Sequence, residues 1–277
     1  MKNTLLTLFT KDPQYTLARL FLTKKEIQDL TTTLDFFEMA EVLAESGTEK
    51  EFQAFKSDYD TGYKYKSIQN ISAKHESIAK FILLQNEYGF DQSWADSFFA
   101  ALETRRLKGK YIAFSDVENY LRGIADTQGF IMHRIITKTN NGEKALQYLS
   151  RALQYFSFIR SVGRNSAAQS YFALADLEKR HLNSLDHKEI QHDEENFIKF
   201  IRDQIARYLG WNDIAMDEQN SLPLRLRIPL RAVSELHEWT AQQIWENPMV
   251  LYQTDIIPSP ALTLFTFAKS VFSSGNS

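Results

Sequence analysis

Three glutamates, Glu38, Glu41 and Glu45, are spaced three and four residues apart in a segment without Gly or Pro. At about 100° per residue of an α-helix, this spacing places the three carboxylates on one helix face. Carboxylates this close repel one another unless a cation or a basic side chain lies opposite. The pattern therefore fits a carboxylate platform for Mg²⁺, which binds one or two carboxylates together with substrate phosphates. On spacing alone, the pattern fits the solvated face of an ordinary amphipathic helix better.

A second group of polar residues forms an uncharged stripe at spacings of three, four and four: Gln154, Ser157, Ser161 and Asn165. Aromatic and aliphatic side chains cover the other faces of this segment, so we expect the helix to be mostly buried. Buried polar groups must be hydrogen-bonded or must line a wet cavity. The stripe thus indicates either an interhelical hydrogen-bond network, an ordinary polar edge or the wall of a binding cavity.

Histidines and arginines give weaker signals. His133 and His237 fall in predicted helices, and we interpret each as a packed or capping residue. The segment Leu222–Arg231 alternates three arginines with apolar residues. It fits contact with an anionic ligand or a membrane surface, or a loop with solvated arginines that enters a helix near Pro229.

Helical periodicity dominates the segments that carry these residues. Gly (10) and Pro (6) are too scarce in 277 residues for a turn-dense all-β fold. Apolar spacing and glycine stops predict helices over about 24–45, 73–88, 93–107, 115–137, 143–160, 192–208, 227–246 and 260–273. Ser115 followed by Glu118 is a capping-box signature for the fourth of these. Segments 183–195, 210–223 and 247–260 are predicted loops. The sequence predicts one all-α domain, residues 1–277, of about eight to ten helices.

Composition excludes several classes of function. The chain has no Cys, which excludes disulfides, thiol nucleophiles and thiolate metal sites. There is no glycine-rich phosphate loop, and the formal charge of −3 gives no basic excess for nucleic acid. The mildly apolar stretch before Lys11 is short for the apolar region of a signal peptide and has no small-residue cleavage site. No apolar stretch is long enough to span a membrane. We expect a soluble cytoplasmic protein, with peripheral contact to a membrane left open.

Five segments, in order along the chain, resemble the squalene/phytoene synthase family of head-to-head isoprenoid diphosphate synthases. They are Phe21–Phe37 leading into Glu41–Glu45, then Asp116–Gly129, Leu149–Asn165, Tyr171–Asn183 and Leu222–Ile244. In the resemblance, EVLAE (Glu41–Glu45) falls on the first aspartate-rich motif, DDxxD. The segment Leu149–Asn165 falls on the second, L-G-x-A-x-Q-x-x-N-I-L-R-D-V-G-E-D.

The resemblance implies an isoprenoid-synthase fold with a central cavity. In the family, two aspartate-rich motifs face each other across this cavity and hold Mg²⁺, which binds two prenyl diphosphates such as farnesyl or geranylgeranyl diphosphate. The residues implied for this chain are Glu41 and Glu45 as Mg²⁺ ligands, Tyr120 and Gln154 as catalytic residues, and Gln154, Ser157, Ser161 and Asn165 as substrate-binding residues.

This sequence departs from the family pattern at charged positions. Two aspartates of the second motif fall on Ser161 and Asn165, and the basic residue before the first motif falls on Glu38. Each lost carboxylate removes a charge-assisted contact of roughly several kcal/mol, and ~1.4 kcal/mol is a tenfold change in rate. Two functions stay open. One is an enzyme that couples prenyl diphosphates or removes their diphosphate. The other is a non-catalytic protein for isoprenoid binding or respiratory-complex assembly.

Overall fold

The computed structural model describes residues 16–66, 68, 71, 75–139, 142–164 and 166–274. The helices in these ranges are α1 (Thr16–Arg19), α2 (Lys24–Ser46), α3 (Glu49–Tyr65), α4 (Glu76–Tyr88), α5 (Gln92–Lys108), α6 (Phe114–Leu121), α7 (Thr127–Thr137), α8 (Glu143–Ser161), α9 (Leu174–Lys179), α10 (His187–Ile190), α11 (Glu194–Glu218), α12 (Leu224–Glu246) and α13 (Pro260–Ser274). A π-helical turn, Arg122–Asp126, joins α6 to α7, and short 3₁₀ turns are Ser166–Tyr171, Gln219–Ser221 and Pro248–Tyr252. The described ranges contain no β-strand, so the predicted all-α class is confirmed.

Two stretches of helix were missed by the sequence prediction. Helix α3 follows a capping box in which Thr48 and Glu51 satisfy each other's backbone N–H groups. Helix α11 continues through Gly210, where a loop was predicted. Glycine in a helix interior costs roughly 1 kcal/mol relative to alanine. The burial of Trp211 and Ala215 beyond it offsets this cost.

The start of α6 corrects the predicted capping box of Ser115 and Glu118. The cap is instead the Asp116 carboxylate, which accepts hydrogen bonds of 3.1 Å from the backbone N–H groups of Ile112 and Ala113. These donors lie at the helix start and have no partner within the helix. Helix α6 therefore begins at Phe114, one residue before Ser115.

The arginine-rich segment is also more ordered than predicted. Helix α12 begins five residues before Pro229, so this proline lies inside the helix rather than at its entry. Arg225 forms a bidentate ion pair with Glu26 at 2.7 and 3.1 Å, and Arg231 contacts Glu235 at 3.4 Å. The Arg225 contact ties the start of α12 to the start of α2.

Aromatic side chains fill the core between α2, α3, α4 and α5. The rings of Phe36 and Phe81 are parallel, with centroids 4.0 Å apart. The other buried rings of this cluster are Phe37, Phe52, Phe55, Tyr59, Phe98 and Phe99. Burial of such large apolar rings contributes strongly to the stability of this part of the fold. This packing fixes the position of α2.

Helix α8 is the central element of the second half of the chain and packs between α7 and α11. Nearly every residue from Ala145 to Ile159 is buried. The ring of Phe156 stacks on Tyr208 of α11 with centroids 4.6 Å apart. No helix in the described part of the chain is both long and apolar enough to cross a membrane.

Candidate functional site

The C-terminal end of α2, which carries Glu41 and Glu45, is held by Arg106 of α5. The Arg106 guanidinium donates to the backbone carbonyls of Leu43 (2.8 Å) and Ala44 (2.9 Å). The last carbonyls of a helix accept such donors because they carry partial negative charge. Glu41 is buried, 7% exposed, whereas Glu45 lies at the surface.

Tyr171 connects α2 with α8. Its hydroxyl donates a 2.8 Å hydrogen bond to the Glu45 carboxylate. Its ring stacks on Phe158 of α8, with centroids 4.4 Å apart and planes 15° apart. The Arg105 guanidinium lies 4.6 Å from the centroid of the same ring, a cation–π contact. We call Glu45, Arg105, Phe158 and Tyr171 the Tyr171 cluster.

Arg105 anchors this cluster to the end of α5. Its guanidinium donates to the Ser170 carbonyl at 2.6 Å and to the Ser170 hydroxyl at 2.5 Å. It also lies 5.1 Å from the ring centroid of Tyr111, a phenol whose pKa is raised well above its usual range by burial. A planar guanidinium with several donors can make these contacts at once. The 3₁₀ turn that ends in Tyr171 is therefore held against α5.

Two serines of the polar stripe on α8 form hydrogen bonds within their own helix. The Ser157 hydroxyl donates to the Gln154 carbonyl, and the Ser161 hydroxyl donates to the Phe158 carbonyl, both at 2.7 Å. Gln154 is 1% exposed, and neither its amide nitrogen nor its amide oxygen has a hydrogen-bond partner among the residues that the structure describes. Asn165, also predicted at the site, lies outside the described residues.

Tyr120 is buried between the Tyr171 cluster and an outer groove. Its ring centroid is 6.4 Å from that of Phe158 and 5.6 Å from that of Tyr111. It also lines a groove of about 390 Å³ between α5 and α6, whose charged lining residues are Lys108, Asp116 and Arg122. Lys108 and Asp116 form an ion pair at 3.0 Å. Tyr120 therefore lies near the rings of Phe158 and Tyr111 and also lines the groove between α5 and α6.

The structure brings several predicted residues together and adds others. Glu45 is part of the Tyr171 cluster, and the Tyr120 ring lies 6.4 Å from the Phe158 ring of that cluster. Gln154 lies one helical turn before Phe158. Sequence reasoning missed Arg105, and it gave Tyr171 no role although the tyrosine opens one of the resembling segments. The Tyr171–Glu45 contact spans 126 residues, and no local pattern signals it.

Mg²⁺ is the metal that the resemblance implies, and the described residues do not fit the family's site. Mg²⁺ needs several oxygen ligands in near-octahedral geometry, including carboxylates. Among the described residues, no three acidic or histidine side chains form a group that could hold a metal ion. The Glu45 carboxylate accepts a hydrogen bond from Tyr171, and the position of a family aspartate is the neutral Ser161. The assignment of Glu41 and Glu45 as ligands stays a prediction.

Comparisons with known proteins agree on one fold. The family model described as squalene/phytoene synthase matches residues 11–257. Squalene synthase HpnC from Alicyclobacillus acidocaldarius is 14% identical, with 85% of this chain and 89% of that chain covered and a TM-score of 0.71. A dehydrosqualene synthase in complex with a ligand is 9% identical, with coverage of 96% and 93% and a TM-score of 0.74. YisP from Bacillus subtilis subsp. subtilis strain 168 is 12% identical, with coverage of 87% and 98% and a TM-score of 0.56. No curated protein sequence is a significant match.

Proposed function

Because the chain belongs to the squalene/phytoene synthase family, we propose that it binds an isoprenoid and does not condense two prenyl diphosphates by the family's metal-dependent route. The observation that carries this proposal is the hydrogen bond from Tyr171 to Glu45. It engages the carboxylate that the first family motif would offer to a metal ion. The ring of the same tyrosine lies against Phe158, one turn before Ser161, where an aspartate of the second family motif falls.

Charge at the second motif supports the same proposal. Departure of a diphosphate requires positive charge from metal ions to neutralise it. Ser161 provides a neutral hydroxyl, which already donates to a backbone carbonyl. Glu38 stands where the family has a basic residue and adds negative charge on the exposed side of α2. Each of these changes weakens binding of a metal–diphosphate complex.

Isoprenoid binding is supported by the unpaired amide of Gln154 and the aromatic surfaces around it. A buried amide without partners costs about 1–3 kcal/mol, which a polar group of a ligand would recover. Tyr120 and Phe158 provide apolar ring surface near this helix face. The ligand class that suits both features is a prenyl chain with one polar end group. A cavity of the family type at this place stays a prediction.

The test measures binding and chemistry separately. Farnesyl and geranylgeranyl diphosphate and the matching prenyl alcohols are titrated by calorimetry in EDTA, and pyrophosphate release is then measured with Mg²⁺. We expect metal-independent binding that Gln154→Ala weakens at least about tenfold, ~1.4 kcal/mol. Gln242→Ala, at an exposed glutamine of α12, is the matched control and should bind like the wild type. Rapid Mg²⁺-dependent release by the wild type, or no binding of any of these ligands, would contradict the proposal.

The second candidate is a metal-dependent enzyme acting on prenyl diphosphates. The burial of Glu41 favours it, because a carboxylate 7% exposed is directed into the protein as a metal ligand would be. Under this candidate the wild type releases pyrophosphate with Mg²⁺, and Glu41→Gln abolishes the release. The same assay therefore separates the two functions.

A further inference from the structure

Helix α13 exposes large apolar side chains on its outer face and buries small polar side chains beside Phe267 on its inner face. Leu264, Phe265 and Phe272 are 61%, 67% and 77% exposed, whereas Thr266 and Ser270 are 6% and 0% exposed. Surface helices normally turn the apolar face inward and the polar face to water. The buried hydroxyl of Ser270 is satisfied by the Thr266 carbonyl at 2.9 Å, so burial of these small polar side chains against α12 is inexpensive.

The exposed side chains of α13 form one continuous stripe. Its members are Ala261, Leu264, Phe265, Ala268, Val271 and Phe272, and we call them the apolar stripe. Their spacings of three, four and seven residues place them on one side of the helix. The largest contiguous apolar patch on a soluble protein is typically a few hundred Å² and is often functional.

The dimensions of the apolar stripe argue against a second copy of the chain as its partner. From Ala261 to Phe272 the stripe is about 16 Å long at ~1.5 Å per residue, and a helix is about 10 Å wide. Its outward side therefore offers a few hundred Å² at most, compared with about 800 Å² per partner in a stable interface. A lipid surface has no such threshold, because binding grows with the apolar area inserted.

Charge at the edge of the stripe indicates the kind of lipid surface. Helix α13 contains no acidic residue and one basic residue, Lys269, whose amine pairs with Glu235 of α12 at 2.9 Å. Glu238 lies one turn away from Glu235 on the exposed side of α12. The stripe itself is uncharged and its border has no net positive charge. Attraction to anionic headgroups is therefore not the driving force.

We propose that α13 lies in the interface of a lipid bilayer, parallel to its surface, with the apolar stripe in the boundary between headgroups and acyl chains. Interfacial helices insert their apolar face by about 5–10 Å. The interaction is driven by apolar area, so it takes place on zwitterionic lipid and changes little with salt. It is independent of whether the Gln154 amide and the rings beside it bind an isoprenoid.

Vesicle co-sedimentation of the full chain tests this assignment. The probe is phosphatidylcholine vesicles, at about 0.1 and 0.5 M salt. The test variant is Leu264→Ser, Phe265→Ser and Phe272→Ser together. We expect its partition coefficient to fall at least about 30-fold, ~2 kcal/mol at ~1.4 kcal/mol per tenfold. Circular dichroism confirms that the variant is folded, as expected for changes at exposed positions.

A matched control removes equally exposed aliphatic side chains outside α13. Leu20, Leu107 and Ile112 are 76%, 87% and 63% exposed, and changing all three to Ser should leave partitioning unchanged. The proposal is overturned if the wild type does not bind these vesicles. It is also overturned if binding needs anionic lipid and is lost in salt, or if the control variant loses as much binding. A dimer without lipid, abolished by the stripe variant in analytical ultracentrifugation, likewise overturns it.

Discussion

The hydroxyl of Tyr171 donates a 2.8 Å hydrogen bond to the carboxylate of Glu45, and the ring of the same tyrosine stacks on Phe158. One side chain thus joins the end of α2 to the end of α8, the two helices on which the family's metal motifs fall. The hydroxyl occupies one acceptor position of the carboxylate, and a ligand of Glu45 would bind beside it or displace it. Arg105 holds the tyrosine in place, so α5 also takes part in positioning this hydroxyl.

Removal of the Tyr171 hydroxyl should weaken the fold slightly. We expect Tyr171→Phe to lower the free energy of unfolding by about 1 kcal/mol, because one hydrogen bond to a partly exposed carboxylate is lost while the ring stacking remains. Urea denaturation measures this difference. Tyr65→Phe, at a tyrosine 61% exposed, is the control and should change stability by less than about 0.5 kcal/mol. Equal effects of the two variants would mean that the Glu45 contact contributes nothing.

Restoration of the family's charges should restore chemistry if their loss is the sole defect. The variant carries Glu38→Arg, Ser161→Asp and Asn165→Asp, which removes an opposing anion and adds two carboxylates spaced four residues apart. We expect Mg²⁺-dependent pyrophosphate release from farnesyl or geranylgeranyl diphosphate, with little from the wild type. Glu38→Arg alone is the control and should stay inactive. A folded triple variant that binds Mg²⁺ yet remains inactive would show that further features of the site have been lost.

The buried ion pair of Asp126 and Arg151 should be the most sensitive polar contact in the core. Both side chains are 5% exposed, and Gln147 donates a further 2.8 Å hydrogen bond to the aspartate. We expect Arg151→Ala to lower the free energy of unfolding by about 3–5 kcal/mol, because it leaves a buried charge uncompensated. Lys199→Ala, which breaks an exposed pair with Glu195, should cost less than about 1 kcal/mol. Similar losses in urea denaturation would contradict the burial argument.

His237 should make stability depend on pH. Burial lowers the pKa of this histidine from 6.5 to about 3, and its Nδ1–H donates to the Val233 carbonyl at 2.9 Å. Between these two pKa values the unfolded chain binds a proton that the folded chain does not, so stability falls as pH falls below about 6.5.

The measurement is the free energy of unfolding at pH 7 and pH 5 for the wild type and for His237→Gln. We expect the wild type to lose about 2 kcal/mol more than the variant over this interval, at ~1.4 kcal/mol per pH unit. His192→Gln is the control, because this ring is exposed to solvent in the folded chain as in the unfolded chain. Equal pH dependence in wild type and His237→Gln would show that His237 does not cause it.

Two glycines should respond to alanine in opposite directions. A Cβ on Gly163 would lie 1.8 Å from the backbone oxygen of Leu251, whereas a Cβ on Gly210 would meet nothing within 4 Å. We expect Gly163→Ala to destabilise the chain by at least about 2 kcal/mol, since backbone must move. Gly210→Ala should stabilise it by about 0.5–1 kcal/mol through helix propensity. Thermal denaturation compares the two, and changes of the same sign would refute the prediction.

Local patterns were sufficient for most helices of this protein. Helices α2, α5, α8 and α13 match their predicted ranges closely, because apolar spacing and glycine stops act within a few residues. Around Gly210 the same reasoning failed. There the contacts of Trp211 and Ala215 with the rest of the core outweigh an unfavourable local propensity, and those contacts are not visible in a short window.

For the candidate site, too, the sequence indicated some features, and others depend on how the helices pack. Residue type and spacing singled out Glu41, Glu45 and Gln154, because carboxylates and amides have their chemistry wherever they lie. The partner of Glu45 and the isolation of the Gln154 amide depend on how α2, α5 and α8 pack. The strength of a hydrogen bond depends on its distance and angle, and for two residues 126 positions apart these are set only when the helices pack together. The residues adjacent to Glu45 or Tyr171 in the sequence therefore do not indicate this contact.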